Sequence, residues 1–185
     1  MAVAFKHRFT VDDYMRMGET GIIPHDLRVE LIDGEIIKMP PINPPHQSVV
    51  NRLTKLLVTR LGDRAIVQIQ GPVRLDNHSM PQPDILLLAP RADYYSKRHP
   101  DSQTVFLAIE VADTSLRYDR EIKGPLYAQK GIREYWVVDV NARRVDVYRE
   151  PHTEHYAIRF VAQEGTPAGI DAFPDESFDI SEIFG

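Results

Sequence analysis

The sequence predicts a mixed α/β fold built on a sheet of five or more strands. Two observations predict it. Short apolar runs bounded by turn residues recur along the chain, and segments with helical spacing of apolar residues lie between them. At 185 residues the chain fits one domain spanning 1–185. That length buries most of the apolar surface without covalent staples.

Taken in order, Thr10 followed by Asp13 predicts an N-cap and a short helix over about Val11–Met17. "RVELIDGEIIKM" alternates around Asp33-Gly34, a strong hairpin signal. "NPPHQSVVNRLTKLLVTRLGD" places Val49, Leu53, Leu56, Leu57 and Leu61 on one helical face, with Gly62 as C-cap. "AIVQIQGPVRLD" is a strand interrupted at Gly71-Pro72. "PDILLLAP" is a continuous apolar run of the kind buried on both faces. Residues 91–104 form an exposed loop, and "VFLAIEVA" is a second core strand. Residues 117–130 predict a helix in which Pro125 removes one backbone donor, giving an early turn or a kink. "EYWVVDV" and "RRVDVYRE" are strands joined at Asn141-Ala142, and Trp136 in the first is core packing. A further strand is expected over His155–Val161, and "FDISEIFG" is short and amphipathic.

Apolar content of 43% and charged content of 26% are those of a soluble globular protein. The chain has no cysteine, which excludes thiol catalysis, thiolate zinc sites and disulfides. "MAVAFKHRFTVDDYM" lacks the apolar core of a signal peptide, and the longest apolar run, Ile85–Ala89, is far short of a membrane span of ~20 residues. The expectation is a cytoplasmic protein with no membrane partner. A net charge of −5 argues against nonspecific coating of nucleic acid, although residues 117–133 carry a local +3. That stretch is either a phosphate-facing patch or a solvated helix face. No GxGxxG, P-loop or GxSxG pattern occurs.

One residue breaks the apolar pattern. Glu110 sits mid-strand in "VFLAIEVA", where an unpaired carboxylate costs several kcal/mol. Asp84 opens the preceding core strand directly after Pro83. If the two strands are neighbours, alternation lets both carboxylates reach one face, shared with Phe106, Ala108 and Ala112. Two carboxylates at one strand edge repel unless a cation lies between them, and oxygen donors favour Mg²⁺ or Mn²⁺. Lys123 lies on the following helix, from which an ammonium can reach the same point; a solvated helix position is the alternative, and the commoner one for a single lysine. Glu30 is a third carboxylate in an apolar context, for which an exposed strand position is an even alternative. His152 and His155 have ligand-like spacing but fall in a polar hairpin expected to be exposed.

With "PD" before a hydrophobic run, "AIEVADTS", "KGPLYAQKGIREYWVVD", "VELIDGEI" and "PHQSVVNRL", the chain resembles the Uma-type restriction endonuclease family over roughly residues 10–184. That family is a branch of the PD-(D/E)XK nuclease superfamily. The resemblance implies a restriction-endonuclease-like core, a central mixed sheet flanked by helices. The superfamily pattern places a lysine two residues after Glu110, where this chain has Ala112. In the Uma branch the following helix supplies it, and Lys123 matches that place. By the same resemblance Asp84, Glu110 and the backbone carbonyl of Val111 are metal ligands. Lys123 is then catalytic, Glu30 is the upstream acidic residue, and His46 stands where the family often has histidine, in a capping or supporting role. The implied activity is Mg²⁺- or Mn²⁺-dependent hydrolysis of nucleic-acid phosphodiester bonds, DNA foremost, by a homodimer. The rival expectation is a catalytically idle member that binds nucleic acid or a protein partner through the same groove.

Overall fold

A computed structural model describes residues 6–185. Its centre is a six-stranded sheet of β3 (Ile66–Ile69), β4 (Ile85–Leu88), β5 (Val105–Ala112), β6 (Glu134–Asp139), β7 (Arg144–Pro151) and β8 (Tyr156–Ala162), adjacent in that order. Neighbours run antiparallel except β5 and β6, which are parallel. A parallel pair needs a crossover. Here it is helical: α3 (Leu116–Tyr118), a π turn at Asp119–Lys123, and α4 (Gly124–Gln129).

The long helix α2 (Pro44–Leu61) and the terminal α5 (Ile180–Phe184) cover one face of the sheet. Val49, Leu53 and Leu57 of α2 pack there with Ile85, Leu87, Ile109 and Trp136. The crossover covers the other face, where Tyr127 and Ala128 meet Leu86, Leu88, Ala108 and Tyr135. Both faces of β4 are therefore buried, as its continuous apolar run requires. Glu110 shares its side with Ala108 and Ala112 as alternation predicts, but Phe106 does not. A register shift between Leu87 and Leu88 moves Phe106 to the α2 side, against Phe173.

Helix α1 (Val11–Glu19) starts at a capping box formed by Thr10 and Asp13. A separate hairpin, β1 (Val29–Ile32) and β2 (Glu35–Lys38), turns at Asp33 (φ 49°) and Gly34 (φ 78°). A Cβ at Gly34 would lie 2.6 Å from Arg8 Cβ, so the N-terminal strap needs glycine there. All four β1 residues are buried, which overturns the exposed alternative for Glu30. Leu31 pairs with Met80 on one side, and Glu30 is turned to the central sheet's acidic cleft. A second hairpin, β9 (Ala168–Ile170) and β10 (Phe173–Phe178), was not expected, because its Gly, Pro and Asp content hides the strand pattern. No described helix is long and apolar enough to cross a membrane.

Candidate active site

The antiparallel register Ile85↔Ile109 carries Asp84 to a place opposite Glu110, and both line one cleft. Asp84 is held from three sides. Its Oδ2 accepts from the Val111 N–H at 2.9 Å and lies 3.0 Å from His46 Nε2, while Gln70 Nε2 reaches Oδ1 at 3.4 Å. Burial pushes the Asp84 carboxyl up, but His46, the Val111 N–H and the Lys123 charge outweigh it and hold Asp84 below the usual carboxylate range. His46 owes its position to α2: Asn43 caps that helix by accepting the His46 N–H at 3.1 Å.

The π turn sets the other half of the site. Gly124 N–H bonds to Asp119 C=O, five residues back, immediately before Pro125, which has no N–H to offer. This wide turn puts Lys123 and Tyr127 on the same carboxylate oxygen. Lys123 Nζ donates to Glu110 Oε1 at 3.0 Å, and Tyr127 Oη donates to it at 2.9 Å. The same ammonium lies 3.1 Å from Glu30 Oε2, which also accepts the Gln82 N–H. Asp119 accepts from Ser115 Oγ at 2.5 Å.

Glu30, Asp84, Glu110, Asp119 and Lys123 are each at most 6% exposed, and the one ammonium pairs directly with Glu110 and Glu30, leaving His46 to Asp84 and Ser115 to Asp119. Burial, then Asp119, Asp84 and Glu30, push Glu110 well above the carboxylate range despite Lys123. Burial also raises Asp119, to about 6. Burial alone would lower Lys123, but Glu110, Glu30 and Asp119 together raise it, so it stays charged. Arg28 and Lys38 lie at the outer end of the same cleft. The cleft offers about 80 Å³ to water-sized groups. That is room for several waters at roughly 10–15 Å³ each.

The donor set suits a hard divalent cation: oxygen atoms, an excess of negative charge, and space for a hydration shell. Among the described residues no three His, Asp or Glu side chains form a ligand cluster. The set inferred here contains two carboxylates and a backbone carbonyl, and Lys123 and His46 now occupy oxygens of those carboxylates.

Of the residues singled out in the sequence, Glu30, Asp84, Glu110, Val111, Lys123 and His46 come together in the cleft. His152 and His155 do not; their stacked rings are exposed on the β7–β8 hairpin. The basic stretch 117–133 is largely spent inside the chain. Arg117 pairs with Glu121, Arg120 with Asp146 and Lys130 with Asp76. Sequence reasoning missed Asp119, Tyr127 and Tyr118. The first two lie four residues either side of Lys123, a same-face spacing that could have flagged them.

A family model described as "Putative restriction endonuclease" (Uma2) matches residues 11–181. No curated protein sequence matches the chain. A crystal structure described as "a putative nuclease belonging to DUF820" from Anabaena variabilis superposes with a TM-score of 0.73 at 18% identity, covering 95% of this chain and 97% of that one. The two share one architecture, a mixed sheet flanked by helices. Matched over nearly its whole length, the chain belongs to the Uma2 restriction endonuclease family.

Proposed function

We propose that this protein is a metal-dependent endonuclease that hydrolyses phosphodiester bonds of DNA, with Mg²⁺ or Mn²⁺ as cofactor. One observation carries the reading: Asp84 and Glu110 stand opposite each other at the floor of a cleft, with the Lys123 ammonium 3.0 Å from Glu110. In this reading Asp84, Glu110 and the Val111 carbonyl hold the cation. When bound, it activates water and offsets charge on a phosphoryl oxygen.

The chain's own groups do the rest. His46 and the Val111 N–H fix the Asp84 carboxylate, so its orientation costs nothing at the moment of reaction. Glu110, if shared with a bound cation, would hold the Lys123 ammonium less tightly. Lys123 then donates to the phosphoryl oxygen on which charge develops as water adds to phosphorus and the opposite P–O ester bond breaks. Glu30 keeps the ammonium aimed, or serves a second cation or a water. Arg28 and Lys38 at the rim receive neighbouring phosphates, which position the strand. A homodimer would present two such clefts to the two strands, in keeping with a cytoplasmic role.

The test is cleavage of supercoiled, linear and single-stranded DNA, and of RNA, with and without Mg²⁺, beside calorimetric metal titration. Wild type should cut only with metal. Glu110→Gln should lose metal affinity. Lys123→Ala should keep it and lose about 10²–10³ in rate. Equal cutting by wild type and both variants would place the activity elsewhere. Metal binding with no cutting of any substrate would favour the idle binder.

A further inference from the structure

Six buried side-chain nitrogen or oxygen atoms among the described residues have no hydrogen-bond partner within the protein. Arg91 Nη1, Arg120 Nη2, Arg144 Nε and Asp146 Oδ1 belong to groups already engaged in ion pairs. His46 Nδ1 is on a ring fixed through Nε2 to Asp84. Tyr118 differs from them all: its hydroxyl is its one polar side-chain group and has no partner in the protein, and the residue lines the acidic cleft. A buried hydroxyl without a partner destabilises the fold, so its presence needs a reason outside the folded chain.

The position of Tyr118 supplies one. It ends α3 directly before the π turn, and its ring centre lies 5.9 Å from Lys123 Nζ. Burial, then the charge of Glu30, raise the phenol, so it keeps its proton and acts as a donor. A protonated phenol is a poor cation ligand beside carboxylates, so the cation is not its partner. The cleft's room of about 80 Å³ is well below the roughly 300–1,000 Å³ of small-molecule pockets, too little for a nucleobase with its sugar. A phosphate group is small enough to reach the floor, and its oxygens only accept.

We infer that Tyr118 is a substrate-contacting residue whose hydroxyl donates to a non-bridging oxygen of the phosphodiester held beside Lys123. This rests on the nuclease reading of the cleft and adds a contact to it. Being neutral, the phenol grips the phosphate without claiming a carboxylate, as a second ammonium would.

The variant is Tyr118→Phe, which removes the hydroxyl and keeps the ring over Lys123. The probe is thymidine 3′,5′-bisphosphate, which has phosphate oxygens but no internucleotide bond, titrated with Mn²⁺ present. The expected result is a loss of probe affinity of roughly tenfold or more, as for a hydrogen bond to a charged group. Affinity for Mn²⁺ alone should not change, and the thermal midpoint of the metal-free protein should stay or rise. Unchanged probe affinity, no probe binding by wild type, or a midpoint several degrees lower would each overturn the inference. The last result would show that the hydroxyl has a partner inside the fold. Cleavage by wild type is scored separately, so a failed nuclease reading is told apart from a failed role for Tyr118.

Discussion

Glu110 and Glu134 are both buried carboxylates on neighbouring strands, β5 and β6, yet their surroundings are opposite. Glu134 Oε1 accepts from Trp136 Nε1 at 2.8 Å and from Arg149 Nε and Nη2 at 3.0 and 2.9 Å. Its Oε2 accepts the Asp171 N–H at 2.7 Å. One carboxylate meets one guanidinium, every acceptor is used, and the β9–β10 connection is tied to the sheet. Asp139 and Asp146 are also answered by guanidinium groups, those of Arg120, Arg144 and Arg159, although Asp146 Oδ1 is left without a hydrogen bond. In the cleft, Glu110 shares a single ammonium with Glu30, the buried Asp84 and Asp119 carboxyl groups add negative charge nearby, and both donors to Glu110 act on Oε1. Burial does not separate the two kinds of site. Charge balance does: the balanced groups hold the fold together, and the unbalanced group is where the proposed cation would bind.

The largest expected effect tests that separation directly. Glu110→Gln should weaken Mn²⁺ binding by more than the ~10–100-fold usual for losing a group that merely orients a ligand. Glu134→Gln should leave Mn²⁺ affinity unchanged within a factor of two in the same titration. The stability costs should fall the other way. Glu134→Gln leaves Arg149 without its counter-charge, a loss towards the lower end of about 3–5 kcal/mol because Arg149 is partly solvated, and added metal should not restore it. Urea unfolding with and without Mn²⁺ measures this. A metal-sensitive Glu134 variant would break the comparison.

A pH effect of intermediate size sharpens it. The folded-state value of Asp119 is raised from 3.8 to about 6, so the folded form binds its proton more tightly than the unfolded chain does. Its contribution therefore turns against the fold as pH rises from about 4 through 6 and is constant above that. About two units amount to roughly 3 kcal/mol on the order-of-magnitude scale. Asp84, whose value is lowered, acts below about 4 and in the opposite sense, its stabilisation being lost as pH falls. Metal-free Asp119→Asn should thus show a flatter stability profile between pH 4 and 6 and exceed wild type at pH 7. Thermal unfolding across that range decides it, and a variant with the wild-type slope would remove Asp119 from the acidic group.

The smallest effect is expected at Arg117, which is exposed and paired with Glu121 one turn away. Arg117→Ala should change stability by less than about 0.5 kcal/mol and leave cleavage rates unaltered. A marked loss of DNA binding would restore the basic stretch as a phosphate patch.

Much of this arrangement was legible in the sequence. A glutamate inside "VFLAIEVA" cannot be left unpaired, which made Asp84 and Lys123 candidates, and the family resemblance gave them their roles. The Asp33-Gly34 turn, the α2 face and the doubly buried β4 follow from local spacing and turn chemistry. What stayed hidden depends on the third dimension. Glu30 reads equally as an exposed strand residue and as a third site carboxylate until the hairpin is laid against the sheet. Asp119 and Tyr127 share the face of Lys123 by their spacing, but the π turn that aims that face at the cleft leaves no mark in the sequence pattern. The β9–β10 hairpin includes Pro174 and acidic residues and gains its apolar contacts from Phe173 and Phe178 on the distant α2 side.

The most direct test of the central claim is a crystal structure with Mn²⁺ soaked in, read by its anomalous signal. The account expects one ion within about 2.0–2.6 Å of Asp84 and Glu110 carboxylate oxygens and the Val111 carbonyl, with the Lys123 ammonium drawn away from Glu110. An ion bound elsewhere, or Lys123 still bonded to Glu110 in a site that stays empty at saturating Mn²⁺, would contradict it.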